Sequence, residues 1–188
     1  MPSILLTPPA AEPLSLAEAK AFLRVETTDD DPLIAALISA ARLHVETRTG
    51  LALITQSWRM VLDCWPANGR IAVRPVPLQA LAAARVFDFD GQSRAIDTQG
   101  FVVDASTSTL SFIPWALPMP TRIAAGIELD ITAGFGDAAS DVPEPLRQAI
   151  RLLVAHWYEN RATVAGAEAV AAPANASALI ASYRMLPL

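Results

Sequence analysis

The sequence predicts an α+β fold, mainly α, with an extended arm at each end of the chain. Apolar residues recur at helical spacing near both ends. Strict alternation marks several short runs between them, and proline clusters break the chain at its start and at residues 114–120. With 188 residues, 53% of them hydrophobic, the chain has room for one domain with an elaboration and for a real core. Much of that fraction is alanine, which packs well but contributes little apolar area.

Residues 1–13 carry Pro2, Pro8, Pro9 and Pro13. Proline fixes φ and has no backbone donor, so this arm is read as extended, either frayed or ordered by a partner. Ser15 with Glu18 three residues on forms a capping box and opens a helix over about 15–24. Asp29, Asp30 and Asp31 precede Pro32, a strong start for a second helix over about 32–48. Leu33, Leu37, Ala41 and Val45 supply its apolar spacing, with Ile34 and Ile38 beside them, and Gly50 stops it.

A β-rich insertion follows, over about 53–134. Thr55 to Asp63 alternates, with Trp58, Met60 and Leu62 on one face. Ile71–Val73 reads as a short strand, and Arg85–Phe89 runs into an Asp90-Gly91 hairpin signal. Phe101–Asp104, Leu110–Ile113 and Ile127–Thr132 are further strands. In the last, Ile127, Leu129 and Ile131 face a core, while Glu128, Asp130 and Thr132 face water. Pro114, Pro118 and Pro120 make residues 114–120 an irregular loop with an exposed Trp115.

A third long helix spans about 144–161, with Leu146, Ile150, Leu153, Val154 and Trp157 on one face. Residues 162–177 are alanine-rich, interrupted by Gly166 and Pro173, and read as a flexible linker. Ala178 to Tyr183 suits one or two helical turns. The organisation is therefore an arm (1–13), a main domain (14–161) and a linker with a terminal segment (162–188).

The net charge of -5 argues against a protein that wraps or reads nucleic acid, where phosphate neutralisation dominates affinity. A single cysteine, Cys64, excludes an intrachain disulfide and suits a reducing compartment. The N-terminal run lacks the pattern of a secretory leader, and no apolar stretch approaches the roughly 20 residues of a membrane span, so a soluble cytosolic chain is expected.

No catalytic constellation is visible, and no cofactor or metal is expected. His44 and His156 lie on different predicted helices, which suits surface or half-buried side chains better than a hydrolase built on Asp and His. Cys64 has no neighbouring base and reads as a small packing residue. Gly134 and Gly136 invite a phosphate-loop reading but lack its lysine spacing, and a tight turn with positive φ at both accounts for them. The three aspartates at 29–31 could bind calcium, yet helix capping explains them more simply. Trp157 and Tyr158 are adjacent on a helix and cannot share one core, so one of them is a candidate for contact with a neighbouring subunit, as is Trp115.

Two distant segments also resemble one family. Leu14 to Gly50 continues into Leu51-Ala52-Leu53-Ile54-Thr55-Gln56-Ser57-Trp58, and Ile131-Thr132-Ala133-Gly134-Phe135-Gly136 leads on to His156-Trp157-Tyr158-Glu159-Asn160-Arg161. Together they are similar to the head–tail connector (adaptor) proteins of long-tailed phages and gene transfer agents, while residues 63–126 match only in style. The resemblance implies a small helical bundle with a β-rich insertion and a dodecameric ring of copies. That ring would join a portal protein to a stopper or tail-side neck protein, with DNA passing through its bore. It places the protein in the virion neck, and in the host cytoplasm before assembly. It also implies a C-terminal segment docked on the portal, for which Leu179, Ile180, Tyr183, Arg184, Met185 and Leu186 are the positional candidates. The alternative is a non-viral oligomeric interaction module without catalytic activity.

Overall fold

The structure, a computed structural model, describes residues 3–160 and 172–184. The chain divides into two compact units, one of Met1–Ala10 with Thr55–Phe135, the other of Ala11–Ile54 with Gly136–Leu188.

The first unit is built of strands β1 (Ser3–Thr7), β2 (Gln56–Leu62), β3 (Arg70–Ala72), β4 (Leu78–Phe87), β5 (Ser93–Ile96), β6 (Phe101–Asp104), β7 (Thr109–Phe112) and β8 (Ile127–Ala133). They form two antiparallel sheets, ordered β1-β2-β8-β4-β5 and β3-β7-β6. β8 is central. It pairs Ile131 with Trp58 of β2 and Leu81 of β4, and Leu129 with Met60 and Ala84. The two-residue period puts Ile127, Leu129 and Ile131 on one face, and all three are fully buried. They share a core with Met60, Leu62, Ile71, Val86 and Leu110, so both sheets close on one interior. Trp65 joins it beside Phe101 and Phe112, at ring-centroid distances of 5.9 and 5.2 Å.

Strands thus take a substantial share beside the helices, and the fold is mixed α+β rather than mainly α. The largest miss is β4. Its first half, Leu78 to Ala84, is rich in alanine and leucine, which favour a helix. Pairing with β8, joined by β5 only from Ala84 on, overrides that preference, with register shifts after Leu78 and Leu81. The N-terminal arm is extended as expected, and it is paired rather than frayed, because β1 runs antiparallel to β2 with Leu5 opposite Trp58. The polar face of β8 also differs from expectation. Asp130 is buried at 8% exposure, and its carboxylate accepts from Arg59 Nε at 2.7 Å and Arg85 Nη1 at 2.8 Å, while Glu128 pairs with Arg59 at 3.2 Å. Two guanidiniums across neighbouring strands close that face with charge-assisted bonds instead of leaving it to water.

The second unit is helical: α1 (Leu16–Leu23), α2 (Asp31–Thr49), α3 (Glu144–Glu159) and α4 (Ala174–Ala181). The capping box forms as read: Ser15 Oγ accepts from the Glu18 amide at 3.2 Å, and the Glu18 carboxylate accepts from the Ser15 amide at 2.9 Å. Ser15→Ala is expected to remove about 1 kcal/mol of stability, measurable by urea unfolding followed at Trp157. α2 starts without a side-chain cap bond. Asp30 instead accepts from the Tyr158 hydroxyl, and Asp31 pairs with Lys20 at 2.5 Å. Gly50 ends the helix at φ 76°, its amide donating to Glu46 O at 2.8 Å.

The buried stripe of α2 is Ile34, Ile38, Ala41 and Val45, whereas Leu33 is exposed, so the apolar face is turned from the one the spacing of Leu33 and Leu37 suggested. On α3, Leu146, Ile150, Leu153 and Val154 are buried as expected, with Ala149 among them. α4 begins at Ala174, four residues before the expected Ala178, and buries Ala176 and Ile180. Residues 161–171, most of the expected linker, lie outside the described residues, as do Met185 and Leu186. Arg42, 8% exposed, lies between Glu12 and Glu46 at 2.8 Å from each, and Ser39 Oγ donates to Glu12 at 2.7 Å. No helix among the described residues is long and apolar enough to cross a membrane.

Candidate interaction surfaces

In the first unit, the Pro114–Ala116 turn and the loop that follows carry the most exposed apolar side chains: Trp115 at 88%, Met119 at 65% and Ile123 at 97%. Prolines 114, 118 and 120 deny this segment a ladder, so it is held by single bonds instead. Trp65 Nε1 donates to Pro118 O at 2.9 Å, and the Ala125 amide donates to Asp63 Oδ1 at 2.7 Å. A side chain at Gly126 would collide with Pro120 and with the Asp63 and Arg122 backbone, so glycine is required by close approach. The loop is therefore anchored while its apolar side chains point to solvent. Beside it, a groove of about 370 Å³ runs along β5, lined by Ile96, Ile113, Leu117 and Pro118.

The β4–β5 hairpin forms a second projection. Phe89 is 79% exposed at its tip, and its amide donates to Thr121 Oγ1 at 3.0 Å. The Asp90-Gly91 signal is met by Gly91 at φ 79°. The Arg122 guanidinium lies 5.7 Å from the Phe87 ring centroid.

The second unit holds two of the three candidate aromatics. Trp157 packs edge-on against His44 at 5.8 Å and 83°, and the Tyr158 hydroxyl donates to Asp30. Both are engaged within this unit, whereas Trp115 projects. On α4, Ile180 is in the core at 3% exposure and Leu179 is half-buried; beyond its end Tyr183 is half-buried and Arg184 exposed. A cavity of about 460 Å³ lies against α2 and α4, lined by His44, Arg48, Ser177, Ile180 and Arg184. Sequence reasoning missed this cavity, because the helix forming one wall begins where a flexible linker was expected. Burial and the nearby Arg48 cation hold the His44 imidazole below its ordinary pKa.

The residues weighed for chemistry are scattered. Among the described residues, no three His, Cys, Asp or Glu side chains lie close enough to hold a metal ion. Cys64 is exposed rather than packed, which corrects its reading as a packing residue; it follows β2 on the turn that buries Trp65 instead. Gly134 takes φ 143°, but Gly136 has no positive φ. There the Asp141 side chain occupies the space a Cβ would need, so the second glycine answers to crowding rather than to turn geometry.

Anchored apolar side chains that project to solvent beside an apolar groove are surfaces suited to contact with other proteins. The chain belongs to the head completion protein family, whose family model matches residues 12–186. Its role is accordingly structural and not enzymatic. It is similar to a chain in the neck of an empty GTA particle computed with C6 symmetry, with 29% identity, a TM-score of 0.83, and 100% of this chain and 97% of that one covered. It is likewise similar to a chain in the neck of a native GTA particle computed with C12 symmetry, at 29% identity and a TM-score of 0.80 with the same coverage. A third likeness, at 28% identity, a TM-score of 0.80 and again the same coverage, is to a chain in the virion of a native gene transfer agent particle. No curated protein matches the chain.

Proposed function

We propose that this protein is a head–tail connector subunit. Copies form a dodecameric ring in the neck of a phage-like particle, between the portal and a stopper or tail-side neck protein, and DNA passes through the bore unread. The end-to-end likeness to a chain of a neck computed with C12 symmetry carries the reading, because it spans both units and not only a shared core. Two physical features support it. A net charge of -5 disfavours adhesion to a sliding polyanion, and exposed Trp115, Met119 and Ile123 offer apolar area to a neighbour.

In this reading residues 14–161 are the connector domain and residues 162–188 link it to the portal. Leu179, Tyr183, Met185 and Leu186 make the portal contact, Ile180 anchors α4 from within, and Arg184 lines the cavity against α2 and α4 instead. Trp115, with Trp157 and Tyr158, contributes to contacts between copies. The subunit sits in the host cytoplasm until it assembles.

Deleting the gene tests this. DNA-filled heads without attached tails are expected, with the ring absent from the neck in electron micrographs and restored by the intact gene. Tailed particles with an unchanged neck in the deletion strain would remove the proposal.

A further inference from the structure

We propose that the cavity against α2 and α4 receives the Asp88–Phe89–Asp90 turn of a neighbouring copy, an inference that rests on the ring reading above. The cavity lining is apolar at Ala174, Ala178 and Ile180 and cationic at Arg48 and Arg184, and it includes His44. Elsewhere in the same unit Arg42, Arg147 and Arg151 are each paired with a carboxylate. Among the described residues, Arg48 and Arg184 form no ion pair. Two guanidiniums beside an apolar hollow call for a ligand with carboxylates flanking an apolar side chain. At about 460 Å³ the hollow falls within the range of ordinary binding pockets, about 300–1,000 Å³.

The β4–β5 turn has that chemistry. Phe89 projects at 79% exposure between Asp88 and the exposed Asp90. The turn is fixed in advance: the Gly91 amide donates to Asp88 O at 3.1 Å, the Gln92 amide to Asp88 Oδ1 at 2.8 Å, and the Phe89 amide to Thr121 Oγ1 at 3.0 Å. Little ordering entropy then opposes docking. The other apolar projections fit less well. The Trp115–Ile123 segment carries Arg122 and no acid, and Val103 has an acid, Asp104, on one side only. Turn and cavity are different surfaces, so their contact is heterologous, as ring closure requires.

The test uses full-length chain in assembled particles, in a Cys64→Ser background. Asp90→Cys with Ala178→Cys is expected to yield a ladder of disulfide-linked multimers of this chain on oxidation, and neither single cysteine should do so. Separately, Asp88→Arg with Asp90→Arg should lower incorporation into particles about tenfold, a loss of about 1.4 kcal/mol in contact energy. Adding Arg48→Asp and Arg184→Asp should restore it. Full incorporation of the cysteine pair without a ladder, or crosslinks to a different protein, would overturn the docking and leave the connector reading intact. So would normal incorporation of the reversed turn. Absence of the unaltered chain from particles would remove the connector reading itself.

Discussion

Replacing Leu129 with alanine is expected to destabilise the two-sheet unit by about 3 kcal/mol, the usual cost of a large-to-small change in a close-packed core. Leu129 sits at the centre of β8, fully buried, between Met60 on β2 and Ala84 on β4. The side chains around it come from both sheets, so no single element can shift inward to fill the void. Urea unfolding read from the fluorescence of Trp58 and Trp65 should show the drop in midpoint. Trp157, in the helical unit, serves as an internal comparison. A loss under about 1 kcal/mol would mean that the site collapses readily and that the two sheets do not share a rigid interior.

Asp130→Asn should cost about 2 kcal/mol at neutral pH, less than a fully buried pair because both arginines keep partial solvent access. The Arg59 hydrogen bond chiefly, with burial opposing and Arg85 assisting, holds the Asp130 carboxyl below its ordinary range. A depressed carboxylate contributes its stability above the unfolded-state pKa, about 4, and loses it as pH falls through the folded value. The native protein should therefore weaken below about pH 4, and the Asn variant should show a flatter acid limb because that group no longer titrates. Equilibrium unfolding of both proteins across the acid range checks this. Parallel pH profiles would show that the guanidiniums are satisfied without Asp130.

In the proposed connector role the core matters because the projecting segments are tied to it at few points. The loop bearing Trp115 hangs from the Trp65 indole and the Asp63 carboxylate, and the Phe89 turn from Thr121. Loosening the core beneath them would blur the surfaces offered to a neighbour before it unfolded the chain.

Local rules made much of this legible. The Ser15 capping box, the Gly50 stop, the apolar stripe of α3, the Asp90-Gly91 hairpin and the projecting Trp115 all follow from interactions within a few residues. The candidate surface was legible only where proline and aromatic residues coincide, at 114–120. The paired segments at the two ends also carried the family, since they lie within the matched residues 12–186.

Caps, turns and periodicity act over short distances, so they mark the start and stop of most elements from the residues alone, while the resemblance of the two end segments carried the family. Long-range pairing makes Leu78–Ala84 a strand, joins the N-terminal arm to a sheet, and encloses Asp130 between two arginines. Tertiary packing also decides which face of α2 is buried and where the arginine-lined cavity lies. Each of these depends on partners tens of residues away, whose pairing and burial outweigh the fraction of a kcal/mol per residue that local preference supplies.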